Sequence, residues 1–136
     1  METKSFTYMN LYSFNLETHD EKKVLANNFK NALSYANTLA TTPILNNQQH
    51  SLRSLKTTCQ QVRIYKDVYK HSIPKSSLRF IEISVWFVNF GNDVNCYVAA
   101  KTLDEVYEYI GGEHKTIKDI TACHLRVYLK EKTDLV

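Results

Sequence analysis

Glycine and proline are scarce in this chain, three and two among 136 residues. So few breakers leave little room for long irregular loops and predict that most residues lie in regular elements. No apolar run approaches the ~18 to 20 residues a membrane helix needs. Met1 to Asn10 also lack the basic start and apolar stretch of a secretory signal, so the expectation is a protein that stays in the cytoplasm where it is made. Cysteine is limited to Cys59, Cys96 and Cys123, an odd number in apolar strand-like runs, which argues for buried, reduced thiols and against a disulfide framework. The spacings Cys-x-x-Cys and His-x-x-x-His are absent, so neither a metal nor a cofactor is expected.

What is present is aromatic: nine Tyr, six Phe and one Trp, a composition that favours strands. Hydrophobic residues at 43% and charged residues at 23% are ordinary for a globular chain and argue against disorder and coiled coil, and the length suits one domain. The net charge of +3 is too small to mark a dedicated nucleic-acid binder.

Two helices are written in the periodicity. Phe29, Ala32, Leu33 and Ala36, with Leu39 and Ala40 beyond, fall on one helical face, and Asn28 is placed to cap it. Leu103, Val106, Tyr107 and Ile110 repeat that spacing behind a capping box of Thr102 and Glu105, with Gly111-Gly112 as a stop. A shift of 74 residues relates the two, and it also carries Tyr12 onto Trp86, Phe14 onto Val88, Val24 onto Val98 and Ala26 onto Ala100. Each helix is therefore preceded by a strand, a polar turn (Glu17 to Lys22; Gly91 to Asn95) and a shorter strand. After each helix, Val62-Arg63-Ile64-Tyr65 matches Leu125-Arg126-Val127-Tyr128 at a shift of 63, the difference falling in an insertion around Thr41 to His50. The expected fold is α+β: a tandem duplication of a β-β-α-β unit (about 6–65 and 78–130) with a linker at 66–77, forming a mainly antiparallel sheet with two helices.

The strand expected over Leu78 to Phe90 is apolar on both faces, with Phe80, Trp86, Val88 and Phe90 on one and Ile81, Ile83, Val85 and Phe87 on the other. Two helices on one side of a six-stranded sheet would leave the second face bare, so a protein partner or self-association through the sheet is expected.

The segments Val24-Leu25-Ala26-Asn27-Asn28-Phe29 through Tyr35-Ala36, and Val98-Ala99-Ala100-Lys101-Thr102-Leu103 through Tyr109-Ile110, each end a hairpin in a small residue and open a capped helix. This pattern resembles small accessory proteins of bacteriophages and other mobile elements. The resemblance implies a virion component or an inhibitor of a host system, and brings no active site with it.

The chain offers no catalytic group with a partner. Cys123 and His124 are adjacent on a strand and point to opposite faces, so they form no dyad. His19, His50, His71, His114 and His124 are scattered. Asp104, Glu105 and Glu108 are explained by the helix dipole and the capping box, and Gly111-Gly112 follows a helix where a phosphate loop would precede one. One charge constellation stands out. Arg63, Lys66, Lys70, Lys75 and Arg79 surround Tyr65, Tyr69 and His71, offset by Asp67, and Arg126, Tyr128, Lys130 and Lys132 repeat the theme near the other end. Cations interleaved with rings suit a phosphate backbone and stacked bases, and a solvated linker and terminal strand would be charged as well. The first expectation is a non-enzymatic protein-binding or structural accessory protein acting through its sheet. The second is a nucleic-acid or nucleotide binder using the basic, aromatic surface.

Overall fold

Six strands and three helices form in the computed structural model, which describes residues 5–16, 21–40, 52–70, 80–111 and 116–131. In chain order they are β1 (Phe6–Leu16), β2 (Glu21–Ala26), α1 (Phe29–Ala40), β3 (Leu52–Tyr65), α2 (Asp67–Lys70), β4 (Phe80–Gly91), β5 (Val94–Ala100), α3 (Leu103–Ile110) and β6 (Asp119–Lys130). The class is α+β with a mixed six-stranded sheet, and the helices number three where two are expected. The additional one, α2, is a single turn inside the expected linker. It forms because Val68 has a core to enter, where its side chain is fully buried, while Asp67 and Lys70 pair across the turn at 3.6 Å. Residues 71–77 of that linker and the insertion at Thr41 to His50 lie outside the described residues.

The helix starts follow the capping chemistry. Asn31 N–H donates to Asn28 Oδ1 at 2.8 Å and Glu105 N–H donates to Thr102 Oγ1 at 3.2 Å. Lys101 N–H donates in turn to Glu105 Oε1 at 2.7 Å, satisfying the donors that a helix start leaves over. Between β4 and β5, Asn92 and Asp93 both take positive φ, 54° and 64°, the geometry a two-residue hairpin turn demands.

Strand β1 pairs antiparallel with β2 and β3, and β4 pairs antiparallel with β5 and β6. Each trio has two outer edges, and two short parallel ladders join them: β2 to β6 over Lys23–Val127 to Leu25–Leu129, and β3 to β5 over Val62–Tyr97 and Arg63–Val98. The order β1-β2-β6-β4-β5-β3 thereby closes on itself as a barrel.

Closure corrects the expectation of a bare sheet face. Leu11, Leu25, Ile81, Ile83, Val85, Ala99, Val127 and Leu129 are buried together on the barrel's inner side. On the outer side α1 covers Tyr12, Phe14, Val24 and Ala26 with Ala32, Ala36, Leu39 and Ala40, and α3 covers Val88, Val98 and Ala100 with Val106, Tyr109 and Ile110. Both apolar faces of β4 are thus occupied from within the chain: one looks into the barrel and the other meets the helices. Among the described residues, no helix is long and apolar enough to cross a membrane.

The two trios share one register. In β1–β2 the pairs Asn10–Ala26, Tyr12–Val24 and Asn15–Glu21 become, on adding 74, the β4–β5 pairs Ser84–Ala100, Trp86–Val98 and Asn89–Asn95. In β1–β3 the pairs Met9–Val62, Leu11–Cys59 and Phe14–Leu55 become Ile83–Val127, Val85–His124 and Val88–Ile120 on adding 74 to the first member and 65 to the second. The offset of the last strand is therefore 65, not the 63 that the Arg-x-Tyr letters imply. Arg63 corresponds to Tyr128, and Tyr65 to Lys130. Even the irregularities correspond: Gln61 and Arg126, 65 apart, take left-handed φ of 60° and 58° where the ladders slip.

Leu11 is fully buried inside the barrel. Leu11→Ala should lower the unfolding free energy by about 2–5 kcal/mol through lost burial and a residual cavity, read as a shifted urea midpoint; a change near zero would mean that the barrel interior is not packed there. Gln61 is exposed, so Gln61→Gly should remove a left-handed penalty of ~1–2 kcal/mol, offset in part by glycine's backbone entropy of ~0.5–1 kcal/mol. A net gain of up to about 1 kcal/mol is expected, and a loss would contradict the strain argument.

Candidate ligand site at the barrel mouth

Of the twelve basic and aromatic residues singled out in the sequence, the eight that the structure describes do not form one surface. Strands β3 and β6 are separated by two strands in either direction around the barrel, so Arg63 and Arg126 lie on opposite walls. Arg126 is exposed at its bulge and pairs with Glu82 at 3.3 Å. Arg63 lies over the Phe6 ring at 4.6 Å and donates from Nη1 to Tyr65 Oη at 3.2 Å. Tyr128 is half-buried against the α1 cluster. Tyr65, Lys66 and Lys70 line a shallow recess of about 270 Å³ with Ser5 and Asp67. His71, Lys75, Arg79 and Lys132 lie outside the described residues.

Three of the eight do converge. Lys66 at the end of β3, Tyr69 on α2 and Lys130 at the end of β6 line a cavity of about 430 Å³ at one mouth of the barrel. The cavity opens at the end of the β2–β6 ladder, whose last pair is Leu25–Leu129. Met9, Leu25, Ile64 and Leu129 give it an apolar floor continuous with the barrel core, and Thr7, Asn27, Tyr35 and Glu131 complete a polar and aromatic rim. Its volume falls within the ~300–1,000 Å³ range of small-ligand sites, and apolar walls with a few convergent polar groups are their usual lining.

Among the described residues, the charges at this rim are two lysines and one glutamate. Lys130 is half-buried, with Nζ held over the rings of Phe80 at 5.2 Å and Tyr35 at 5.7 Å, so the cation is positioned before any ligand arrives. Lys66 is exposed and tied by its backbone, whose N–H donates to Ser5 O at 3.4 Å. Tyr69 and Tyr35 approach closely enough to interact. Burial first, and the neighbouring Tyr35 phenol second, hold the Tyr69 hydroxyl above its ordinary 10.0, so it remains a neutral donor at physiological pH. Tyr35, Thr7, Asn27 and Glu131 are the site residues that sequence patterning misses. The one available signal is that Tyr35 sits 74 residues before Tyr109, at the same place in its helix.

The Cys59 and Cys123 thiols are not activated. Cys59 is half-buried, and burial, with the nearby Cys123 thiol as a second cause, pushes its thiol up to about 11. Burial also raises Cys123, whose Sγ–H donates to Val85 O at 3.2 Å, and lowers His124. A thiol held neutral is a poor attacking group. Among the described residues no group of His, Cys, Asp and Glu gathers as a metal would require. Comparison with family models, with curated proteins and with solved structures finds no match to the chain, so the site must be read from its geometry.

Burial raises the proton affinity of Cys59, Cys123, Tyr69, Tyr97 and Tyr128 together. The unfolded chain gives up these protons first, so the stability they contribute is fully present below the ordinary thiol value of 9.0 and falls as pH rises through about 11. Urea midpoints should be lower at pH 10 than at pH 7.5, and Cys59→Ser should flatten the difference. Midpoints independent of pH across that window would refute the burial of these groups.

Proposed function

We propose that this chain is a non-enzymatic binding protein whose ligand is a small organic anion seated in the barrel-mouth cavity, with the nucleotides as the favoured class. The observation that carries this reading is the convergence of Lys66 at the β3–α2 junction, Tyr69 on α2 and Lys130 at the end of β6 on one preformed cavity of about 430 Å³ with an apolar floor. Two cations against one carboxylate favour an anion, a neutral phenol donates to it, and the floor accepts an uncharged body. Among the described residues the lining of this mouth holds one carboxylate, Glu131, and no histidine or thiol, which favours binding over turnover.

The reading of a partner docked on an open sheet loses its physical motive, since helices and the barrel interior occupy both faces of β4. We further infer that the chain arose by tandem duplication of a β-β-α-β unit. The constant offsets of 74 and 65 through the β1–β2 pairs and the β1–β3 pairs from Phe6–Tyr65 to Asn15–Ser54, and the coincidence of the left-handed residues Gln61 and Arg126, support it. The resemblance of the two strand–helix junctions to accessory proteins of phages and mobile elements is what supports a role of that kind in a host cytoplasm.

Isothermal titration with nucleoside 5′-monophosphates tests the binding proposal. Lys130→Ala should weaken binding at least tenfold and Lys66→Ala less, because Lys66 is exposed and more strongly screened. Raising the salt should weaken both the wild type and the variants. Heats indistinguishable from dilution for the wild type, or affinities untouched by both substitutions, would rule the proposal out.

A further inference from the structure

The register correspondence makes the two halves of this mouth comparable position by position, and they differ at one place that matters. Phe6 corresponds to Phe80 and Tyr35 to Tyr109, each 74 residues apart, and both pairs keep their aromatic character. Between them sits the partner of the phenylalanine on the third strand. It is Tyr65 opposite Phe6 and Lys130 opposite Phe80. On the α3 side the three rings form one cluster: Tyr65 stacks on Tyr109 at 4.9 Å with 17° between planes, and Phe6 meets Tyr65 at 5.0 Å with its plane tilted by 50°. Tyr65 is fully buried and Tyr109 is 1% exposed, with Val68 from α2 buried in the same cluster. On the α1 side a lysine replaces the middle ring, Tyr35 is only half-buried, and the cavity opens beside it.

The geometry points to a ligand with one planar aromatic ring system and an anionic substituent, whose ring stacks on Tyr35 as Tyr65 stacks on Tyr109, and whose anion meets the Lys130 ammonium that stands in Tyr65's place. This rests on the binding role proposed above and specifies its ligand. Three observations support it independently. Tyr35 has an exposed part where its counterpart is covered by a ring. The cation replaces an aromatic side chain at the same register position, so charge and ring must be supplied together to complete the arrangement. The inserted helix α2 closes the other half with Val68 and turns Tyr69 toward this one. Stacking on an aromatic side chain and a charge-assisted contact add to one another, so ring and anion together should bind well above either alone.

The test uses the full chain and three kinds of probe: the four common nucleoside 5′-monophosphates, their nucleosides without phosphate, and ribose 5-phosphate without a base. At least one monophosphate should bind tenfold or more tighter than its nucleoside and than ribose 5-phosphate. Tyr35→Leu should weaken that monophosphate at least tenfold and leave ribose 5-phosphate within about threefold. The decisive variant is Lys130→Tyr, which rebuilds the α3-side stack on the α1 side. It should keep the far-ultraviolet circular dichroism, raise Tm by several degrees and abolish binding of every probe. If ribose 5-phosphate binds as tightly as the monophosphates, the ring is overturned while the anion site stands. If no probe binds, the binding role itself falls. If Lys130→Tyr folds yet lowers Tm, or still binds, the correspondence between the two stacks is wrong.

Discussion

The structure depends on two short parallel ladders, β2 with β6 and β3 with β5. Each antiparallel trio alone is a three-stranded sheet with a row of open amide and carbonyl groups along both outer edges, and such edges invite pairing with other chains. The ladders cover all four edges with only three and two residue pairs. Their brevity is offset by what closure encloses, a column of aliphatic side chains from every strand. The helices could not supply this, since α1 buries mainly alanines and α3 has only eight residues.

The architecture was legible in the sequence to the level of element order, because a period of 3.6 beside a period of 2 is a strong contrast in a chain with few breakers. The helices begin at Phe29 and Leu103, where the caps place them. Closure was not legible. A strand apolar on both faces reads the same whether its second face meets a partner or a helix outside a barrel, and a parallel ladder of two or three residues leaves no pattern of its own. The offset of the last strand misled for a related reason. A slip of two residues keeps every side chain on its own face, so alternation cannot distinguish 63 from 65, and the shared letters of Arg63-Ile64-Tyr65 and Arg126-Val127-Tyr128 settled the matter wrongly.

That slip concealed the site. At 63 the two basic ends look alike, and a symmetrical charged surface follows. At 65 a tyrosine faces a lysine, and the halves differ where the cavity is. Lys66, Tyr69 and Lys130 were identifiable as cations and rings in proximity, whereas Tyr35 belongs to a helix whose periodicity explains it without function. Only the pairing of Phe80 with Lys130 places it beside a charge.

The matching registers have a consequence for assembly. Edges that fit between the two halves of one chain also fit between halves of two chains, so an exchanged dimer and the closed monomer would be built from the same ladders. What separates them is the tether between Tyr65 and Phe80. A short connection keeps each half at an effective concentration in the millimolar range for the other, far above that of a second molecule, and α2, anchored by Val68, removes part of the slack. Whether one chain or two would make a barrel thus turns on the connection from Tyr65 to Phe80, of which α2 is the anchored part among the described residues.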